Sequence, residues 1–552
     1  MSSLESAGSV LAHHPQPAQL ASLPKVRDVQ ISPDGSMILY QVQPFYKAPG
    51  RALSELWIAQ TNIPHSARRL MDRVFNDRAG VFHPDSRRVI FLSDRHDPGR
   101  PAIIHILDLD ATENSDSDPV AVCIDFRKEG VQAFELSPDG KMIAFTSKDP
   151  TSEEEARKVQ QKDDAIVFSA HGAEPVDRYP RLRIHNFSTG ETWTPEGLRK
   201  DRYIEAFTWS PNSTHVLYRL RQGRGSEFTE REVTLESISI EGSAVPRILG
   251  VYPRSPSGQN IWTHSEHIIS LQSYEAGNIL DARTIFAHRH SMDRSFTPSE
   301  GAQRLYGLKE DAVRIVNARA NSREDITAVA VEICSDTDTH IDIITVDPST
   351  RDMKTLLTVF QTEQEAVWFG AWDAKTIVDE AGRISYIFAA VLSSGVRHEP
   401  PNVWTRRVSH DGHEVSPKLR LSSHLQYLAE APVFTTEVIQ WEAVDGTVLS
   451  GLIRYPPGYS TGGGPRPTVL FIHGGPYRME SWSVSVRYAS SVATAHLSVP
   501  EGGSLTAWGV TKTKTRFKAA IVGAGVANWE GMIMESGSPE LEEKSGISPG
   551  FV

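Results

Sequence analysis

The chain runs to 552 residues, 39% hydrophobic and 23% charged, a soluble and folded composition too long for one ordinary core. Its formal net charge of −12 speaks against a nucleic-acid partner, because phosphate binding needs clustered Lys and Arg. The one short basic run, Lys512, Lys514, Arg516 and Lys518, reads as a solvated helix end. Only Cys123 and Cys334 occur, too few for a disulfide framework, so a reducing compartment and by default the cytosol are expected. Residues 1–20 read as a flexible tail without the basic-then-apolar pattern of a signal peptide. No run of about eighteen apolar residues exists to span a membrane.

From residue 21 a repeat comes first. Ile31-Ser32-Pro33-Asp34-Gly35 leads into Ile38-Leu39-Tyr40, and Leu136-Ser137-Pro138-Asp139-Gly140 leads into Ile143-Ala144-Phe145. Looser copies are Phe82-His83-Pro84-Asp85 before Val89, and Trp209-Ser210-Pro211-Asn212 before Val216. Proline presets φ at the first central turn position, and Asp, Asn or Gly tolerates the next, so each copy is a turn feeding a strand. The irregular spacing lies in the range of β-propeller blades, about 40 to 50 residues plus insertions. Beyond Tyr218 the signature fades while strands continue, at 232–240, 268–271, 326–333, 341–346 and 384–391. Four readable copies leave room for three more before residue 432, which predicts about seven blades. Trp209, Trp262, Trp368, Trp372 and Trp404 are candidates to fill the wedges between them. The charged stretch 151–165, with Glu154 and Lys158 at i,i+4, reads as a solvated helix or loop between strands.

The architecture changes at about residue 433. Val438 to Leu449 reads as a hairpin with Asp445-Gly446 at its turn, followed by a strand Gly451-Leu452-Ile453-Arg454-Tyr455. The Gly/Pro loop 461–467 lacks the Lys-Ser/Thr of a phosphate loop. Thr468-Val469-Leu470-Phe471-Ile472 reads as a buried parallel strand emptying into His473-Gly474-Gly475-Pro476. Val486, Ala489, Val492, Ala493 and Leu497 recur at helical spacing and predict a helix from about Ser485, and 518–523 reads as one more buried strand.

A Pro-Asp-Gly propeller, then Trp441…Asp445-Gly446…Gly451-Leu452-Ile453…Pro456-Pro457-Gly458 and Val469-Leu470-Phe471-Ile472-His473-Gly474-Gly475-Pro476, resembles the prolyl oligopeptidase family of serine peptidases. The similarity is greatest to its acylaminoacyl-peptidase and dipeptidyl-peptidase-like branches. It resumes at Gly502-Gly503-Ser504-Leu505-Thr506-Ala507-Trp508 and continues through Phe517 to Trp529. The resemblance implies a β-propeller over 21–432 and an incomplete α/β-hydrolase domain over 433–552. It implies hydrolysis of short peptides through an acyl-serine intermediate in intact relatives, without a cofactor.

On that alignment Gly475 supplies an oxyanion-hole N–H, fixed before charge develops on the substrate oxygen, and Pro476 holds Gly475 extended. His473 and Gly474 complete the loop. Gly502 and Gly503 match the closing glycines of the nucleophile elbow, which places Pro500 at the nucleophile position and Glu501 at the second donor position. Proline offers no nucleophile. Ser498 and Ser504 lie outside a Gly-x-Ser-x-Gly frame. The acid and the histidine should follow the nucleophile, yet the last Asp is Asp445 and the last His is His496. Loss of a triad costs on the order of a million-fold in turnover. The chain is therefore expected to be inactive as a peptidase.

Only 29 positions separate His473 from Gly502, and the text on either side is well kept. That is the pattern of an excised block rather than scattered decay. A splice join between Ala495 and Gly502 is expected, with a frame change or early stop near Lys544. The alternative to a lapsed peptidase is a non-catalytic propeller that binds partners, or a mispredicted gene product; oligomeric state is open. His264 and His267 at i,i+3 lack a third ligand for zinc. Asp336, Asp338, His340 and Asp342 alternate as on a solvated edge strand rather than in a looped calcium cage. No Gly-x-Gly-x-x-Gly follows a strand, so no dinucleotide is expected.

Overall fold

A computed structural model describes most of residues 24–455, then 459–460, 468–472, 493–497, 502–512 and 517–522. Seven antiparallel sheets follow one another in chain order and form a seven-bladed propeller. Blade 1 is Pro24–Ile31, Met37–Pro44, Glu55–Gln60 and Arg68–Arg69; blade 2 is Arg78–Phe82, Arg88–Ser93, Ile103–Asp108 and Val120–Val122. Blade 3 is Ala133–Leu136, Met142–Ser147, Arg181–Asn186 and Thr192–Trp193; blade 4 is Tyr203–Trp209, His215–Arg221, Val233–Ser239 and Arg247–Tyr252. Blade 5 shows three strands, Asn260–Trp262, His267–Ser273 and Arg283–Arg289. Blade 6 is Asp311–Asn317, Val329–Ser335, Asp338–Val346 and Met353–Gln361; blade 7 is Trp368–Val378, Ile384–Ser394, Glu399–Ser409 and Leu419–Arg420. The strands expected beyond Tyr218 fall within blades 4 to 7.

The second strand of a blade is buried on both faces, which is why runs such as Met37-Ile38-Leu39-Tyr40 do not alternate. Ile38 and Tyr40 face blade 7 in one buried cluster, with Ile387, Ala389 and Val391. Leu39 faces blade 2 in another, with Phe82, Val89 and Phe91. Seven such clusters occupy the seven seams of the ring. Each fully buried Leu, Ile or Phe adds about 1.5–3 kcal/mol. Trp209, Trp262, Trp372 and Trp404 sit in these wedges, two of them bonding their indole N–H across a seam, while Trp368 is half-buried and belongs to none of the clusters. Trp209 Nε1 donates to Glu135 O of the preceding blade at 3.0 Å, and Trp372 Nε1 to Glu332 Oε2 at 2.6 Å. Trp262 is buried in the seam of blades 4 and 5, and Trp404 packs partly buried beside Trp372.

The turn repeat acts across blades as well as within them. In blade 1 the Ser32 hydroxyl donates to Asp34 Oδ1 at 2.6 Å and accepts from Met37 N at 2.9 Å, and Gly35 takes φ +74°. Blade 3 repeats this with Ser137, Asp139, Met142 and Gly140. The looser copies place Ser86 and Ser213 at the same left-handed position, with φ 59° and 61°. Each serine offsets its strained backbone by accepting an N–H from the neighbouring turn: Asp34 N donates to Ser86 Oγ, and Asp139 N to Ser213 Oγ. Glycine is required at the other two. A Cβ on Gly35 would stand 2.6 Å from Ile377 Cδ1, and one on Gly140 2.3 Å from His83 Nε2.

One expectation changes in the propeller. Asp338, His340 and Asp342 are not on a solvated edge, because their strand is paired on both sides within blade 6. Asp338 accepts from Thr362 Oγ1 and Gln361 Nε2, and Asp342 from Tyr306 Oη and Thr358 Oγ1. These neighbours satisfy the buried carboxylates without solvent; Asp336 lies outside the described residues. His267 is a buried strand residue, and His264 lies outside the described residues. In the 151–165 stretch, Glu153, Arg157 and Gln160 are helical and exposed, as expected of a solvated insertion.

After the ring comes a mixed sheet in the order Thr435–Glu442, Val448–Tyr455, Ala493–Leu497, Thr468–Ile472. The Asp445-Gly446 hairpin forms, with Gly446 at φ +84°, and Gly451–Tyr455 belongs to its second strand rather than to a separate one. Ala493–Leu497 is a strand where helical spacing was read, because it pairs with a neighbour on each side. Thr468–Ile472 is parallel, as expected, but Val469 and Leu470 are 45% and 38% exposed at the sheet's end position. Residues 518–522 are not a strand, and Ile521 is 93% exposed, since no described strand lies alongside to pair with them.

Candidate active site

Thr468–Ile472 and Ala493–Leu497 run parallel, with Ile472 opposite Leu497. Neighbouring strands lie about 4.8 Å apart. The chain therefore leaves the sheet at two adjacent points, after Ile472 into His473 and after Leu497 into Ser498. Both are carboxyl ends of parallel strands, where open α/β sheets place their ligands. The helix Gly502–Lys512 begins a short connection after Leu497. Strand, short connection and helix are the frame a nucleophile elbow needs, and Pro500 falls between strand and helix.

His473, Gly474, Gly475, Pro476, Ser498, Pro500 and Glu501 lie outside the described residues. Gly502, Gly503 and Ser504 are the first three residues of the helix. The helix packs on Thr468–Ile472, and Thr511 Oγ1 donates back to Ala507 O at 2.9 Å. Leu452 is the one apolar residue of the described part of this sheet to reach full burial. Among the described residues no group of three or more His, Cys, Asp or Glu could hold a metal. No described helix is long and apolar enough to cross a membrane.

The largest shifts among the described ionisable groups lie in the propeller. Burial drives the Glu135 carboxyl up to about 7, against bonds from the Thr208 side chain and the Trp209 amide. Burial likewise raises Asp373, whose Oδ2 accepts Ile31 N at 2.7 Å across the closing seam. Burial lowers His105 and His424 to about 4. Burial also pushes the Cys334 thiol up to about 12, so it is no nucleophile. Burial would lower His340, but the Asp342 bond and the Asp342 and Asp338 charges outweigh it and hold the imidazole above its ordinary value. Local motif spacing carries no trace of these contacts, because their partners come from other blades or strands.

No family model matches the chain, and no curated protein matches it. Solved structures do. An acylaminoacyl peptidase in complex with Z-Gly-Gly-Phe-chloromethyl ketone superposes with TM-score 0.65 at 12% identity, over 96% of this chain and 82% of that one. The acylaminoacyl peptidase of Pyrococcus horikoshii gives 0.58 at 12%, over 87% and 65%. A puromycin-hydrolyzing peptidase of Mycobacterium tuberculosis gives 0.56 at 13%, over 88% and 67%. The chain thus spans about two thirds of the length of the last two. It has the fold of the prolyl oligopeptidase family, a seven-bladed propeller followed by an α/β-hydrolase-type sheet.

Proposed function

We propose that this chain descends from the serine peptidases of the prolyl oligopeptidase family and no longer hydrolyses peptides. The proposed units are a tail over 1–20, the propeller over 21–432 and an incomplete hydrolase domain over 433–552, in a cytosolic protein. The observation that carries the reading is the strand and helix at 493–512 with Pro500 between them. The elbow frame survives while the atom that attacks is gone. Gly475 then holds a carbonyl oxygen that nothing attacks, and Glu501 stands at the second donor position. What remains usable is recognition: the propeller keeps all seven seams, and peptides of the kind handled by acylaminoacyl and dipeptidyl peptidases are the proposed ligands.

The experiment is labelling of the purified chain with a fluorophosphonate serine probe, beside turnover of chromogenic acyl-aminoacyl and dipeptide substrates. Neither labelling above a heat-denatured control nor turnover is expected. Heat-sensitive, stoichiometric labelling would overturn the reading. A peptide map of the native protein across Ala495 to Gly503 tests separately whether the join exists: an unbroken peptide carries it, and an intervening insert marks a mispredicted gene product.

A further inference from the structure

Five Ser-Pro or Thr-Pro steps fall among the described residues, at Ser32, Ser137, Thr194, Ser210 and Ser416. Ser32, Ser137 and Ser210 are buried and spend their hydroxyls inside their turns, on Asp34, Asp139 and Asn212. Ser416 is half-buried, and its Oγ accepts Arg407 N at 2.8 Å. Thr194 is the exposed one of the five, and its Oγ1 accepts from Arg183 Nη1 at 3.3 Å. It directly follows Thr192–Trp193, the outermost strand of blade 3, which is held by two residue pairs, Ile184 with Trp193 and His185 with Thr192. Pro195 restricts Thr194 to extended backbone, the form in which a peptide lies along a kinase cleft. Pro195 itself is buried, so a kinase meets this segment as it lifts from the blade, and a two-residue edge strand is among the first elements to open.

We propose that Thr194 is a phosphorylation site for a proline-directed kinase, and that its phosphate draws Arg183 away from Asp149. In the transfer, Thr194 Oγ1 attacks the γ-phosphorus of ATP, the bond to the ADP oxygen breaks, and the hydroxyl proton passes to the kinase's base. The product carries about −1.5 to −2 charges and acceptor oxygens where one hydroxyl stood. Its receiver is already in place. Arg181 and Arg183 alternate with the buried Leu182 and Ile184, so both reach one face of the blade, with side chains only 12% and 14% exposed. Arg183 lies over the Phe126 ring at 4.8 Å, which sets its plane, and its buried Nε has no hydrogen-bond partner. Asp149 shares the two arginines, through Oδ2 to Arg181 Nε at 3.3 Å and Oδ1 to Arg183 Nη2 at 2.5 Å. That carboxylate is 49% exposed. A phosphate takes the guanidinium from it, because bidentate phosphate pairing is stronger than a solvated ion pair and the two anions repel. Arg181 stays anchored by Lys200 O at 2.7 Å. Asp149 stands just ahead of the charged insertion 151–165, so losing Arg183 loosens that insertion at its root.

The test treats the full chain with ATP and a purified proline-directed kinase, maps phosphate by mass spectrometry, and then follows limited trypsin cleavage after Arg157 in the insertion. Phosphate should appear at Thr194 and not at Ser32, Ser137 or Ser210. Cleavage after Arg157 should then speed up about threefold to tenfold, the factor for losing one partly exposed hydrogen bond between charged groups. Thr194→Val, treated in the same way, should keep the slow rate. Arg183→Gln should cleave at the faster rate with or without kinase treatment, because Asp149 is already released. Should Arg183→Gln misfold, Asp149→Ala should behave likewise. A folded chain that takes no phosphate at Thr194 would overturn the site, as would equal phosphorylation of the three buried serines. Phosphate at Thr194 with an unchanged cleavage rate would overturn the exchange of Arg183 from Asp149 to the phosphate.

Discussion

Replacing Gly140 with alanine should be far more damaging than the same change at Gly190, although both glycines sit at nearly the same backbone angle, φ +71° and +73°. The left-handed penalty for a residue with a Cβ is about 1–2 kcal/mol, partly offset by about 0.4–1 kcal/mol from a stiffer unfolded chain. At Gly190 that is the whole cost, because a Cβ meets nothing within 4 Å. At Gly140 the methyl would lie 2.3 Å from His83 Nε2 and 2.7 Å from its Cε1. The imidazole is buried and bonded to Gly140 O at 3.1 Å, with Arg88 and Asp85 holding its other side, so it cannot swing away without losing those bonds. Overpacking adds about 1–3 kcal/mol and the broken bond about 0.5–1.5 kcal/mol. Gly140→Ala should therefore cost about 2–4 kcal/mol more than Gly190→Ala. Urea unfolding of the full chain, followed by far-UV circular dichroism and tryptophan emission, measures both. Equal midpoints for the two variants would refute the claim that the turns are locked together across blades 2 and 3.

Asp373→Ala should cost about 1–3 kcal/mol by stranding the buried Ile31 N–H, whereas Asp373→Asn should be tolerated because it keeps an oxygen acceptor. Thermal melts of the two decide, and equal losses would show that the bridge is not what matters. His105 and His424, both lowered to about 4, should favour the fold at neutral pH. Their contribution is full above about 6.5 and is lost as pH falls through about 4, so their imidazole NMR signals should show no titration near pH 6.5. Cys334, with its thiol at about 12, should resist maleimide in the native protein at pH 8 and react once unfolded. Native reactivity at the rate of a free thiol would contradict that burial.

The legibility of the chain tracks how local each determinant is. The turns of blades 1 to 4 could be read because Pro followed by Asp or Asn specifies its own geometry within five residues. Ser86 and Ser213 looked like decayed copies of Gly35 and Gly140, yet each is a working member whose partner lies in the preceding blade. Blades 5 to 7 dropped the motif. Blade 7 turns on Asp379 and Gly382 instead, with Gly382 N bonded to Asp379 O at 2.9 Å. Period-two charge at Asp338, His340 and Asp342 suggested water on one face, and only the fold shows Tyr306, Thr358, Gln361 and Thr362 standing there instead. The Asp445-Gly446 hairpin was readable for the same local reason as the turns. Ala493–Leu497 was not, since alanine favours a helix and only pairing on both sides overrides that preference. Of the candidate site, the roles given to Gly475 and Pro500 rest on the sequence resemblance alone, and both lie outside the described residues. The structure adds that the strands leading to them end side by side.

Each blade is cut from one unbroken stretch of chain, and all seven seam clusters draw on residues between Val26 and Leu421. None of those clusters borrows a side chain from the sheet that begins at Thr435. Among the described residues, the packing of each seam is therefore complete without that sheet. With this wiring a substitution in that sheet and one in a seam share no side-chain contact within the clusters, so their effects on stability should add.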